Sequence, residues 1–165
     1  MSIRVYIFDD DELIRTTLSY FVEQEGFKVS AFAQPDHCSI YFSDDCMCSQ
    51  KEPCSDIIIT DVNMPGVSGL NFIENQIRKG CKVQHIAVMS GDWTDPGLKQ
   101  ARTWGCQVFY KPFSILKLKN WLDGIRQDFE SDQPVIKITA PELLKKKVQN
   151  TQTKPRYIRK QAPKN

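Results

Sequence analysis

The chain has 165 residues, 41% of them hydrophobic and 25% charged, with a formal net charge of +2. That is the size of one domain able to bury a real core, and no run of about eighteen apolar residues exists to form a membrane-spanning helix. The charge is uneven: residues 1–129 carry 13 basic and 17 acidic side chains, whereas 130–165 carry 9 and 3, so a domain over 1–129 and a basic tail over 130–165 are expected.

Residues 3–8 (Ile-Arg-Val-Tyr-Ile-Phe) predict a buried strand. Asp9, Asp10 and Asp11 follow, then Leu13, Ile14, Leu18, Phe21 and Val22 at helical spacing, giving a helix from an Asp11 N-cap to about Glu25, stopped by Gly26. A second strand is expected at 27–32 and a short helix near 36–43, opened by Pro35 and Asp36. A cysteine-rich loop spans 44–54. A third strand at 56–60 leads through Asn63-Met64-Pro65-Gly66 to a helix near 69–79, with Leu70, Phe72, Ile73 and Ile77 inward. A fourth strand at 85–89, a helix near 95–103, a fifth strand at 106–110 and a last helix at 114–128, carrying Ile115, Leu118, Trp121, Leu122 and Ile125, complete the pattern.

Five strands, the continuously apolar ones among them, alternating with helices predict an α/β fold: a parallel, doubly wound five-stranded sheet, covered on both faces and joined by right-handed crossovers. Such sheets place their sites at the carboxyl ends of the strands. Here those ends carry Asp9 and Asp10 after strand one, Asp61 after strand three, Ser90 after strand four and Lys111-Pro112 after strand five. If strands one and three are neighbours, three carboxylates converge and need a cation or raised pKa values. An oxygen-rich acidic set suits Mg²⁺. Asp61 would then be a nucleophile toward phosphorus, with Lys111 neutralising the transferring group and Ser90 donating to a phosphoryl oxygen.

Ile7-Phe8-Asp9-Asp10, Ile59-Thr60-Asp61-Val62-Asn63-Met64-Pro65-Gly66, Val88-Met89-Ser90-Gly91 and Tyr110-Lys111-Pro112-Phe113 together resemble the signature of response regulator receiver domains, over about residues 3–128. The resemblance implies a flavodoxin-like (βα)5 fold with strand order 2-1-3-4-5. It implies that Asp61 accepts a phosphoryl group from a histidine kinase or a histidine phosphotransfer protein of a two-component system, with the chain acting as a phosphoacceptor that catalyses only its own phosphotransfer and dephosphorylation. Mg²⁺ would be held by Asp10, Asp61 and the backbone carbonyl of Asn63, with Asp9 helping through water. Ser90 and Lys111 would be the switch residues, Lys111-Pro112 a cis peptide, and Asn63 and Asp92 the positions that tune dephosphorylation.

Two features depart from the family pattern. The aromatic expected three residues before the lysine is Val108 here, and the neighbouring Phe109 and Tyr110 alternate faces of the strand, so activation is expected to act through the surface of the fourth helix and fifth strand, with Trp93 as a reporter. The second departure is the cysteine insert. Cys46 and Cys48 are expected at the N-terminal edge of the sheet, where Cys54, Cys81 and Cys106 precede strands three, four and five, so five thiols would share one edge and offer a candidate Zn²⁺ site. Cys46-Met47-Cys48 is tighter than the usual ligand spacing. His37 and His85 read as structural. The chain begins without a secretory pattern, so a cytoplasmic location is expected and a disulfide framework is not.

The tail holds Lys145-Lys146-Lys147 and Lys154-Pro155-Arg156-Tyr157-Ile158-Arg159-Lys160; it is expected to be polar and flexible, with a short helix near 141–149. An alternative reading is a transcriptional or nucleic-acid-binding regulator that uses this tail, though no helix-turn-helix accompanies it. A haloacid-dehalogenase-type phosphatase with Asp9 as nucleophile fits poorly, because the acids after Lys111 lie within the last helix. No membrane partner is expected, and the downstream partner is not legible.

Overall fold

The computed structural model describes residues 2–42, 46, 48 and 52–130. The expected tail therefore lies outside the described residues. A five-stranded parallel sheet runs in the order β2-β1-β3-β4-β5, with β1 at Arg4–Phe8, β2 at Lys28–Phe32, β3 at Ile57–Asp61, β4 at His85–Ser90 and β5 at Gln107–Tyr110. The helices are α1 (Glu12–Gln24), α2 (Ser39–Phe42), α3 (Gly69–Arg78), α4 (Asp95–Thr103) and α5 (Ile115–Glu130). No helix among the described residues is long and apolar enough to cross a membrane.

The central strand explains the layering. All five residues of β3 are buried, and their alternation feeds two cores. Ile57 and Ile59 join Val5, Ile7, Met89 and Phe109 beneath α1 and α5, where Leu18, Val22, Leu118, Leu122 and Ile125 close the layer. Ile58 joins Phe8, Val88, Phe72 and Ile73 on the other face. Each face hides a large apolar area, at about 25 cal/mol per Å², and this fixes the register that aligns the strand ends.

Local signals set most boundaries. The Asp11 carboxylate accepts from the Ile14 amide at 3.0 Å, Ser68 from Asn71 at 3.2 Å and Thr94 from Gly97 at 3.2 Å, capping α1, α3 and α4. The expected helix over 36–43 is instead a 3-10 turn at Pro35–His37 followed by the single-turn α2, because Cys38 between them is extended (φ −111°, ψ 134°). Leu13 and Ile115, at the starts of α1 and α5, are 77% and 43% exposed. Ile14, next to Leu13, packs against the first core instead.

Candidate functional site

The carboxyl ends of β1, β3, β4 and β5 converge as expected. Asp9 follows β1 and is fully buried; Asp61 ends β3 and is 5% exposed. Between them stands the Lys111 ammonium, 2.8 Å from an Asp9 oxygen and 2.6 Å from Asp61 Oδ1. Two nearly dry carboxylates thus share one cation, and residues 102 apart in sequence are joined. The other Asp61 oxygen accepts from the Asn63 amide at 2.6 Å, so both oxygens of the carboxylate are held.

Electrostatics follow from this burial. Desolvation pushes the Asp9 carboxyl above its ordinary value, against the opposing pull of the Lys111 hydrogen bond and charge. For Lys111, burial works against the charged form, but its hydrogen bonds to Asp61 and Asp9 outweigh that and hold its pKa above the usual one. The residual charge of the group is one negative unit, and its donors are all oxygen on the acidic side. That donor chemistry fits a hard divalent ion that keeps several waters.

Ser90 ends β4 and is fully buried. Its Oγ accepts from Asn63 Nδ2 and from the Asp92 amide, both at 3.1 Å, which leaves the hydroxyl proton free to donate elsewhere. Asn63 thereby links Asp61 to Ser90, one bond through its backbone and one through its side chain. The Lys111-Pro112 peptide is cis, as the resemblance implied.

Asp10 stands apart. Its side chain is exposed, and the only group of three or more clustered metal-ligating residues among the described residues consists of cysteines. The three acids expected to meet are therefore two buried ones plus a solvated neighbour. The cause is local: the Asp9 carboxylate accepts from the Asp11 amide at 3.0 Å, and Arg15 donates to the Asp9 and Asp10 carbonyls at 2.8 and 3.4 Å, which turns the chain into α1 with Asp10 outward.

Sequence reasoning missed Gly69. A Cβ at this position would sit 2.0 Å from the Asp61 carbonyl oxygen and 2.9 Å from Thr60 Oγ1. The first residue of α3 thus packs directly on the backbone of Asp61, and its amide donates to the Val62 carbonyl at 3.0 Å. Only a hydrogen fits there, so the helix and the strand end hold each other.

Val108, Phe109 and Tyr110 divide as expected: Val108 packs against the second core, Phe109 belongs to the first, and Tyr110 is half-exposed. Trp93 lies beside them. Its indole donates to the Phe109 carbonyl at 3.3 Å, and its ring centre is 6.2 Å from that of Tyr110.

Of the five edge thiols, four converge: Cys46, Cys48, Cys54 and Cys81. Cys106 does not join them and is buried in the second core. β5 is the neighbour of β4, but the register pairs Gln107 with Ala87, so Cys106 stands level with Ile86, further along the sheet than Cys81. Burial pushes the Cys46 thiol up to about 11; hydrogen bonding to Cys81 and burial push Cys54 up as well. At Cys48 burial acts upward, but the amides of Lys82 and Cys54 outweigh it and leave the thiol below its usual value.

Comparison with known proteins bears on the fold and the family. The family model described as the response regulator receiver domain matches residues 5–123. The transcriptional regulatory protein FixJ of Azorhizobium caulinodans is 31% identical over 113 residues, covering 68% of this chain and 49% of that protein. Response regulator GacA of Pseudomonas aeruginosa is 28% identical over 153 residues, covering 91% of this chain and 66% of that protein. FixJ being about twice as long as the stretch matched, the chain spans about half the length of that relative. Among solved structures, the beryllofluoride-activated NtrC4 receiver domain dimer aligns at a TM-score of 0.58 and 27% identity, covering 78% of this chain and 97% of that one. The chemotaxis response regulator CheY4 of Vibrio cholerae aligns at 0.59 and 21%, covering 76% and 99%, and shares the fold. With a family model matching most of its length and a (βα)5 sheet in the order 2-1-3-4-5, this chain belongs to the response regulator receiver domains of two-component signalling.

Proposed function

We infer that Asp61 is the phosphoacceptor of this chain and that phosphorylation switches the surface built by α4, β5 and the loop carrying Trp93. The observation that carries this reading is the Asp61 carboxylate, nearly buried yet held at both oxygens, one by the Lys111 ammonium and one by the Asn63 amide. A nucleophile so placed needs little reorganisation, which matters because phosphoryl transfer is catalysed largely by positioning and charge.

The donor is a phosphohistidine of a histidine kinase or phosphotransfer protein. An Asp61 oxygen forms the new bond to phosphorus, the phosphorus–nitrogen bond breaks, and the imidazole leaves with that electron pair. Lys111 follows the charge onto the phosphoryl oxygens. Ser90 donates its free hydroxyl proton to one of them, and Asn63, bonded to both Asp61 and Ser90, couples that movement to the loop after β3. Asp10, Asp61 and the Asn63 carbonyl would hold Mg²⁺, with Asp9 assisting through water. When bound, Mg²⁺ supplies positive charge opposite the transferring oxygens. The chain acts on itself only, which makes it a switch in the cytoplasm rather than an enzyme for a free substrate.

With Val108 where an aromatic is usual, the Ser90 movement is read out through Trp93 and Tyr110. The receiver occupies 1–129, and its output passes to a protein partner. The alternative, a nucleic-acid-binding regulator using the basic tail, depends on residues outside the described ones.

Incubation with acetyl phosphate and Mg²⁺, followed by intact mass measurement, tests the reading. One phosphoryl mass is expected on the native chain and none on Asp61→Asn. A gain that survives this substitution removes Asp61 from the role.

A further inference from the structure

We propose that Cys46, Cys48, Cys54 and Cys81 form a structural Zn²⁺ site that staples the α2–β3 insert to the turn between α3 and β4. The proposal is independent of the phosphoacceptor reading, because the cluster sits at the opposite edge of the sheet. Cys54 precedes β3 and Cys81 precedes β4, whereas Asp61, Ser90 and Lys111 lie at or beyond the carboxyl ends of their strands.

The spacing of the sulfurs carries the argument. Zinc–thiolate bonds of about 2.3 Å in a tetrahedron put ligand sulfurs about 3.8 Å apart. The observed separations are 3.3 Å for Cys46–Cys48, 3.8 Å for Cys46–Cys54, 4.0 Å for Cys48–Cys81 and 3.7 Å for Cys54–Cys81. All four sulfurs lie within 4.8 Å of one another, so they outline one coordination sphere. None is bonded to another: all are free thiols, well beyond disulfide length.

Ordinary packing does not account for the convergence. Cysteines that serve as small hydrophobes are buried, and this chain has two of them, Cys38 and Cys106, in its second core. The four clustered thiols are only half-buried. Of the four only Cys54 packs against the second core, and free thiols are weak hydrogen-bond partners. Four half-buried cysteines drawn from three stretches of chain are better explained by a shared ligand.

The surroundings are those of a metal ligand set. Cys48 Sγ accepts from the amides of Cys54 at 3.2 Å and Lys82 at 3.3 Å, outer bonds of the sort that orient and stabilise a ligating thiolate. The α3 terminus is built to deliver Cys81. Gly80, at φ 71°, lets the chain reverse, while the amides of Gly80 and Cys81 return to the carbonyls of Ile77 and Gln76. The same helix end grips the segment before the insert: Gln76 Nε2 donates to the Ile40 carbonyl at 3.1 Å and Lys79 Nζ to that of Tyr41 at 2.6 Å.

Four sulfur ligands leave no open position, so the role is structural and the metal soft enough for thiolate. The single residue between Cys46 and Cys48 is fewer than usual. Here those two ligands arrive on one loop while Cys54 and Cys81 come from separate strand entries, so no knuckle of standard spacing is required.

Metal analysis of the full chain, purified without chelator and reconstituted with Zn²⁺ under reducing conditions, tests the proposal. One zinc per chain is expected, retained in Cys106→Ser and lost in Cys54→Ser. Co²⁺ titration of the native chain gives a reading free of any folding defect in a variant: visible bands of tetrahedral thiolate cobalt, saturating at one equivalent and displaced by Zn²⁺, are expected. Zinc below about a tenth of an equivalent after reconstitution, cobalt bands of octahedral type, or preferential retention of iron would each overturn it. Zinc kept in full by Cys54→Ser would do the same. Phosphoryl uptake at Asp61 is measured separately and bears only on the phosphoacceptor reading.

Discussion

Replacement of Gly69 by alanine is the sharpest test of how the phosphoacceptor is held. The added carbon would lie 2.0 Å from the Asp61 carbonyl oxygen and 3.0 Å from its carbonyl carbon, against about 3.2 Å at which carbon and oxygen first touch. Both sides of the clash are backbone, so no rotamer change relieves it. Helix α3 must retreat by about 1 Å, which opens a void beneath Phe72 and Ile73 and pulls on the Gly69–Val62 hydrogen bond. Overpacking of this kind costs about 3 kcal/mol, and for a domain of this size that lowers the melting temperature by about 10 °C. Gly124→Ala is the matched control. It lies within α5 with nothing inside 4 Å of the added carbon, so alanine there gains about 0.5–1 kcal/mol through helix propensity. Thermal and urea unfolding of both variants checks the pair. Gly69→Ala melting within a degree or two of the native chain, or level with Gly124→Ala, would refute the close packing of α3 on the Asp61 backbone.

Lys111→Ala removes the ammonium shared by Asp9 and Asp61 and should slow phosphoryl uptake from acetyl phosphate about 100-fold; a time course by intact mass reads this, and a loss below about threefold contradicts it. Asp9→Asn should raise the melting temperature at neutral pH. Because burial holds the Asp9 carboxyl above its ordinary value, the folded chain binds that proton more tightly than the unfolded chain does. Stability from Asp9 is thus full at low pH and lost as pH rises through the raised value. The gain from Asn should therefore shrink as pH falls and vanish below the ordinary carboxylate range; a gain unchanged across that window excludes Asp9 as its source. Beryllofluoride with Mg²⁺ should change the tryptophan emission, and Trp93→Phe should abolish the change while Trp121→Phe keeps it. Emission unaltered on saturation would remove Trp93 from the switched surface.

Much of this architecture was legible because β1, β3 and β4 are mostly apolar and run into the polar Asp9, Asp61 and Ser90, so hydrophobicity and polarity marked the same boundaries. The short helix α2 was less so: the extended Cys38 divides a stretch whose composition reads as one helix. At the site, residue types pointed to Asp9, Asp10, Asp61, Ser90 and Lys111, but the burial of Asp9 beside an exposed Asp10 was not legible. It depends on the Asp11 amide and Arg15 turning the chain at the end of β1. Gly69 carried no signal, since a glycine opening a helix looks the same whether or not a strand end lies against it. Cys106 shows the limit of edge reasoning: preceding a strand places a thiol near the right edge, but the register of β5 on β4 sets Cys106 beside Ile86 rather than Cys81.

The account rests on Asp61 as the residue that becomes phosphorylated. Borohydride reduction of the acetyl phosphate-treated chain converts an aspartyl phosphate into homoserine, and peptide mapping locates it. Homoserine at position 61, with Asp9 and Asp10 unchanged, is the predicted result. Homoserine at Asp9 or Asp10 with Asp61 intact would contradict the account.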